Sequence, residues 1–249
     1  MISATVPRAG TELSGQTVLV LGGSAGIGLA TARHARAQGA EVILVARNAE
    51  RLRHAAADAG ARHCAAFDVG DRDALREFFA NLPGPVHHVM VNSGWPFYGP
   101  VLGLTYEEAR TAISYHALQA VEVARRSRDK MPPGGSLTFM GGTGARRISS
   151  GAGVLSVIGG TMTALIAVLA VELAPLRVNM IAAGFVDTPM SASLLGDGLQ
   201  ARRDDLQARL PIQRVVTAED VASLAIHLMG NTALTGAVYD IDGGQQLIP

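Results

Sequence analysis

The chain has 249 residues, 48% of them hydrophobic and 4% aromatic. That length suits one large α/β domain with a sizeable core, and its many small residues suit helices packed closely on a sheet. The 21 basic and 21 acidic residues cancel, so no broad field draws the protein to nucleic acid or to an anionic membrane.

A single cysteine, Cys64, excludes an internal disulfide, and no metal-ligand spacing surrounds it, so no metal site is expected. Cys64 sits in a short apolar run and is expected to be a buried thiol. Residues 1–13 form an N-terminal extension without the apolar core of a signal peptide. The most apolar stretch, Val154–Leu173, is interrupted by glycines and threonines and carries Glu172 near its end. It reads as a core or interface helix rather than a membrane span, which implies a cytoplasmic protein.

Short β-branched runs alternate with helical stretches along the chain. Thr17–Leu21 is predicted as a strand, Gly26–Gln38 as a helix stopped by Gly39, and Glu41–Ala46 as a strand. Asn48 caps a helix to Ala59. Ala61–Phe67 is a strand, Asp71–Asn81 a helix and His87–Val91 a strand. Thr105 caps a long helix reaching about Lys130, and Ser136–Met140 is a strand. The apolar helix that follows ends near Ala174. Gly151, Gly153, Gly159 and Gly160 loosen its start, so it is expected either to fray there or to begin near Thr161. Leu176–Ile181 is a strand, Ser191–Leu210 a helical and polar segment, Thr217–Met229 a capped helix and Ala237–Ile241 the last strand. Repeated β–α–β units imply one doubly wound domain over residues 1–249. It is an α/β fold of the Rossmann type, with about seven parallel strands and helices on both faces.

The segment Leu19-Val20-Leu21-Gly22-Gly23-Ser24-Ala25-Gly26-Ile27-Gly28 joins the first strand to the first helix. Gly22 suits the turn off the strand, Gly26 a close approach to a pyrophosphate, and Gly28 tight helix–sheet packing. Amides at the helix start then face the phosphates. At the end of the second strand an acidic residue would bind the ribose hydroxyls of NAD(H). The chain has Ala46-Arg47 there, and Arg47 suits a 2′-phosphate, which favours NADP(H) over NAD(H).

The Gly-x-x-x-Gly-x-Gly spacing resembles the short-chain dehydrogenase/reductase family. Four further segments are similar to it, namely Phe67-Asp68-Val69, Val91-Asn92-Ser93-Gly94, Arg177–Met190 with its Ala183-Gly184-Phe185-Val186-Asp187-Thr188 core, and Tyr239–Gly244. The resemblance covers residues 13–244, with Leu21 standing where the family usually has Thr. The resemblance implies cofactor contacts from Gly22, Ser24, Gly26, Ile27, Gly28, Arg47, Asp68, Val69, Asn92, Gly94, Gly184, Val186 and Thr188, with Asp68 at the adenine. It also implies a substrate lid over residues 191–210.

The family's catalytic positions are changed together. Its members use a Tyr and a Lys four residues later on the long apolar helix, where the Lys charge lowers the phenol pKa for proton transfer. Counting back from Val171–Pro175 puts those positions at Leu155 and Gly159. No Tyr lies between Tyr115 and Tyr239 and no Lys follows Lys130, so no shift of register restores the pair. The family's Ser falls on Gly142 and its Asn on His116. His116 and Tyr98 are the candidate replacement acids, with Trp95 beside Tyr98 on the loop at the pocket. Thr143, Ser149, Ser150 and Ser156 are candidates to orient a substrate. Tyr115 lies about 100° around the helix from His116 and is expected to face elsewhere.

Three readings follow. One is an NADP(H)-dependent oxidoreductase for a small carbonyl or alcohol with an unusual proton donor. The second is a non-redox isomerase, dehydratase or cyclase. The third is a non-catalytic NADP(H)-binding sensor or partner. Leu165–Leu173 is apolar nearly all round, which predicts a homo-oligomer, a tetramer or dimer by resemblance.

Overall fold

Runs of residues without an exposed side chain form the interior strands. Thr17–Leu21 (β1) is buried along its whole length, as a strand covered on both faces must be. Glu41–Ala46 (β2), His63–Ala66 (β3), His88–Val91 (β4), Ser136–Gly142 (β5) and Arg177–Ala183 (β6) follow. The pair Val186–Asp187 (β7) and Val216–Thr217 (β8) precedes Val238–Ile241 (β9). The computed structural model describes residues 12–94, 99–146 and 151–248. Among the described residues, seven strands form one parallel sheet in the order β3-β2-β1-β4-β5-β6-β9, and β7 pairs with β8 in a small second sheet.

The helices are Gly26–Ala37 (α1), Ala49–Asp58 (α2), Arg72–Ala80 (α3), Tyr106–Ile113 (α4), Gln119–Arg128 (α5), Gly153–Glu172 (α6), Pro189–Leu195 (α7), Leu199–Arg209 (α8) and Ala218–Gly230 (α9). Alternation along the strands decides which face each residue serves. Leu19 and Leu21 of β1 join a core with Leu75 and Phe79 of α3, Val123 of α5 and Ile166 of α6. Val18 and Val20 point the other way, into a core with Ala32 of α1, Leu52 of α2 and Val221 of α9. The sheet is therefore sandwiched, as the doubly wound reading requires. The chain runs outward from β1 to β3 and then returns to place β4 on the other side of β1. The crevice at that reversal, beyond the strand ends, is where such folds take ligands.

Caps follow the sequence. Asn48 accepts from the amide of Arg51, and Thr105 and Thr217 each close a capping box with Glu108 and Asp220. Four features depart from expectation. Helix α6 begins at Gly153 rather than near Thr161. Val154, Ile158 and Met162 recur at helical spacing and are all buried. Burial of such side chains, at about 1.5–3 kcal/mol each, outweighs the cost of about 1 kcal/mol each for Gly159 and Gly160. The helix predicted over 105–130 is interrupted by a π-helical turn at Ser114–Leu118. Residues 191–210 form two helices, because Gly196, with φ of 49°, ends α7 and opens a short 3-10 turn. Cys64 is half-buried on the edge strand β3 rather than buried, since β3 has a partner on one side only.

Candidate functional site

The strand–turn–helix at Gly22–Gly28 builds one wall of a cleft of about 290 Å³. Gly22 and Gly23 donate their amides to the Val45 carbonyl, which turns the chain sharply off β1. Gly22 takes φ of 94°, and Gly26 takes φ of 51°, a region that only glycine enters cheaply. A Cβ on Gly28 would overlap the Gly22 carbonyl oxygen, so the turn folds back on its own helix only because residue 28 has no side chain. Ala25 precedes the helix without a side-chain cap, leaving the first amides of α1 to a ligand.

The opposite wall comes from α7. Thr188 caps that helix and Pro189, Met190 and Ser193 line the cleft with it. A Cβ on Gly26 would come within 3.3 Å of the Thr188 Cβ, so the two walls meet there. The floor is the end of β4. Asn92 donates its side-chain amide to the Gly22 carbonyl at 3.4 Å, and Ser93 donates its hydroxyl to Gln119 Oε1 at 3.1 Å. His116 packs on this floor, its Cε1 3.1 Å from where a Gly94 Cβ would stand.

The end at β2 and β3 is polar. Arg47, Arg51 and Ser24 all line the cleft, and Arg51 Nε donates to Ser24 Oγ at 3.3 Å. Asp68 follows β3. Its Oδ1 accepts from the Gly70 amide at 2.8 Å and from the Tyr115 hydroxyl at 3.2 Å, while its Oδ2 lies 3.9 Å from Arg47. Burial, aided by the Asp68 charge, pushes the Tyr115 phenol above its ordinary value, so it remains a proton-bearing donor.

Most of the cofactor residues expected from sequence therefore line one cleft: Gly22, Ser24, Gly26, Ile27, Arg47, Asp68, Val69, Asn92, Gly94 and Thr188. Gly28, Gly184 and Val186 stand behind it. Gly184 packs so tightly on Asp242 and Gln245 that a Cβ would overlap both, and Val186 is buried in the β7–β8 pair. Arg51 and Tyr115 are among the lining residues that the sequence reading did not assign to the cleft. Arg51 sits one helical turn past the Asn48 cap, and its distance from the strand end hid it. Tyr115 was expected to face elsewhere, and the π turn brings it to the cleft instead, with its ring centroid 6.2 Å from that of His116.

Of the residues expected from sequence at the family's catalytic positions, Gly142 is exposed at the end of β5, and Leu155 and Gly159 are half-buried on α6. Helix α6 packs on the Thr143–Arg146 turn and on the π turn that carries His116. The hydroxyl of Ser156 is taken up by the Ala152 carbonyl of its own helix at 3.1 Å, and Thr143 is buried. Trp95, Tyr98, Ser149 and Ser150 lie outside the described residues.

The family model described as enoyl-(acyl carrier protein) reductase matches residues 22–246. The 3-oxoacyl-[acyl-carrier-protein] reductase of Bos taurus is 30% identical, over 92% of this chain and 97% of its own length. The solved structure of the MalC reductase/Diels-Alderase from Malbranchea aurantiaca is similar with a TM-score of 0.88 at 26% identity, covering 96% of this chain and all of that one. BdcA, solved in complex with NADPH, is similar with a TM-score of 0.82 at 26% identity, over 93% of this chain and 95% of its own. Together with a parallel sheet that reverses order beside a glycine-lined cleft, these matches establish that the chain belongs to the short-chain dehydrogenase/reductase family.

Proposed function

We propose that this protein binds NADP(H) in the cleft and acts as an oxidoreductase on a small carbonyl or alcohol, without the family's Tyr and Lys. The observation that carries the cofactor reading is the cluster of Ser24, Arg47 and Arg51 at the end of β2, beside a turn whose glycines leave backbone amides bare. Two guanidiniums and a hydroxyl form a dianion site that suits a 2′-phosphate, and the NADPH complex of BdcA supports it. The cofactor supplies the hydride chemistry when bound. The chain's residues supply position and exclusion of water: Asp68 and Tyr115 at the adenine end, the amides of α1 at the phosphates, and Asn92, Thr188 and Met190 toward the nicotinamide end.

Leu155 and Gly159 offer no proton. His116, half-buried against the Asn92–Gly94 floor, is the proposed donor, with Tyr98 as the other candidate. Turnover without a well-placed acid is expected to be about 10²–10⁴-fold slow. A second reading, a non-redox ring-forming or isomerising reaction, draws support from the same loss of acid. It also draws on the name of the MalC relative, a reductase/Diels-Alderase. The outward face of α6 supports a homo-oligomer. Val157, Val168 and Val171 are exposed there on the side opposite Ile158, Ile166 and Leu169.

Titration of the protein with NADPH, followed by fluorescence, tests the cofactor, and the absorbance of NADPH with a panel of carbonyl compounds tests the redox step. Binding followed by oxidation of NADPH supports the main reading. Binding without oxidation across the panel favours the second. Absence of NADPH binding overturns both.

A further inference from the structure

The helix that begins at Tyr106 and ends at Arg128 has one irregularity, the π turn Ser114–Leu118. A π turn spaces neighbouring side chains more closely around the axis than the ~100° of an α-helix, and such turns concentrate at functional sites. Here it carries Tyr115 to the adenine end of the cleft and His116 to the Gly94 floor from one turn of backbone. Tyr115 is not idle at its end. Its ring edge lies on Gly70, where a Cβ would stand 3.0 Å from Cε2, and its hydroxyl donates to Asp68 Oδ1.

Asp68 is pulled two ways. Tyr115 and the Gly70 amide hold Oδ1, while Arg47 stands 3.9 Å from Oδ2, too far for a close hydrogen-bonded pair. An Asp68 released by Tyr115 would swing onto Arg47, because opposite charges so near attract and Arg47 is largely exposed and free to move. That closure would remove Arg47 from Ser24 and Arg51 and would turn the carboxylate away from the cleft.

We propose that Tyr115 is the positioning residue that sets recognition of the 2′-phosphoadenosine end. By holding Asp68 toward the cleft it presents an acceptor to the base's amino group and leaves Arg47 for the 2′-phosphate. The inference rests on the NADP(H) reading of the cleft and adds to it a residue that acts through Asp68.

The test is calorimetric titration of the parent, Tyr115→Phe, Asp68→Ala and the double variant with NADPH, NADH and 2′,5′-ADP. Phenylalanine keeps the ring and its packing on Gly70, so the fold is retained, and circular dichroism checks it. Tyr115→Phe is expected to weaken NADPH and 2′,5′-ADP about tenfold, the scale of one lost hydrogen bond to a charge, and NADH by less. In the Asp68→Ala background, which has no acceptor for the Tyr115 hydroxyl, the same change is expected to have no further effect. NADPH affinity unchanged in Tyr115→Phe, equal losses for NADPH and NADH, or additive losses in the double variant would each overturn the role of Tyr115. A parent that binds neither NADPH nor 2′,5′-ADP would instead sink the cofactor reading itself.

Discussion

A Cβ on Gly22 would stand 2.5 Å from the carbonyl oxygen of Asn92, and Gly22 already takes φ of 94°. The turn of β1 and the end of β4 are thus in direct backbone contact, which seats that wall of the cleft on its floor. Gly22→Ala is expected to destabilise the fold by about 1–3 kcal/mol, from the left-handed backbone together with the clash. It should also abolish NADPH binding, because the loop can relieve the overlap only by moving into the cleft. Urea unfolding and fluorescence titration measure the two effects. A variant of parental stability and affinity would show that the turn is not held against β4.

Arg51 and Arg47 are exposed guanidiniums beside Ser24, which makes their contribution depend on the ligand's charge and on salt. Arg51→Ala is expected to weaken NADPH about tenfold and to leave NADH nearly unchanged. The NADPH preference should shrink as ionic strength rises, since accessible pairs are screened beyond a Debye length of about 8 Å at physiological salt. Titrations with both cofactors at low and high salt decide it. An equal loss for NADPH and NADH would remove Arg51 from the 2′-phosphate site.

His88 lies at the end of the sheet away from the cleft, buried at the start of the central strand β4. Gln16 Oε1, 2.5 Å from Nε2, can only accept, so Nε2 carries the proton and Nδ1 accepts from the Ser136 hydroxyl at 2.8 Å. Burial, and then the charge of Arg177 and the neighbouring His87, lowers its pKa from 6.5 to about 3. The unfolded chain therefore takes up a proton that the folded chain refuses. This stability is complete above pH 6.5 and falls as pH drops toward 3, at up to about 1.4 kcal/mol per pH unit. His88→Gln removes the titration, so its unfolding free energy should depend less steeply on pH between 6 and 4 than that of the parent. Parallel pH profiles would show that His88 is not the group that titrates.

Much of the architecture was legible because it depends on local pattern. The short, β-branched apolar run of β1, the threonine caps at 105 and 217, and the glycine spacing at 22, 26 and 28 each state their conformation within a few residues. What was not legible depends on contacts far apart in sequence. Helix α6 crosses Gly159-Gly160 because Ile158 and Met162 find a buried site on the sheet. Cys64 is half-buried because β3 turned out to be an edge. The π turn at Ser114–Leu118 has no composition of its own, so Tyr115 was placed by α-helical arithmetic and put on the wrong side. Arg51 was missed because a residue on the helix after the strand carries no motif until the helix is seen to lean over Ser24.

The uncovered face of α6 gives the next expectation. Val168 and Val171 are 50% and 78% exposed on a helix whose other face is core, so changing them leaves the monomer's packing intact. Val171→Glu is expected to shift the protein to a smaller species in sedimentation velocity at micromolar concentration, with monomer secondary structure unchanged, because a charge buried at a helix–helix contact is costly. A parent already monomeric under those conditions would exclude the homo-oligomer.

The active-site reading has the most direct test, because it is a statement about what is missing. Leu155 and Gly159 lie four residues apart on α6 and so on one face of it. A tyrosine and a lysine placed there would stand in the relation that lets an ammonium lower a phenol's pKa. Gly142 can accept a serine in the same variant, since among the described residues a Cβ there would meet only the Ala183 carbonyl oxygen, at 3.7 Å. Leu155→Tyr, Gly159→Lys and Gly142→Ser together are expected to leave NADPH affinity within a few-fold of the parent's. Carbonyl reduction should rise about 10²-fold or more, the usual worth of a placed general acid. His116→Ala in the parent should abolish the residual rate, and in the triple variant it should matter far less, because the proton then comes from position 155. A triple variant that folds and binds NADPH but reduces no faster would mean that the pocket was reshaped for other chemistry, as the non-redox reading holds, and not merely deprived of its acid.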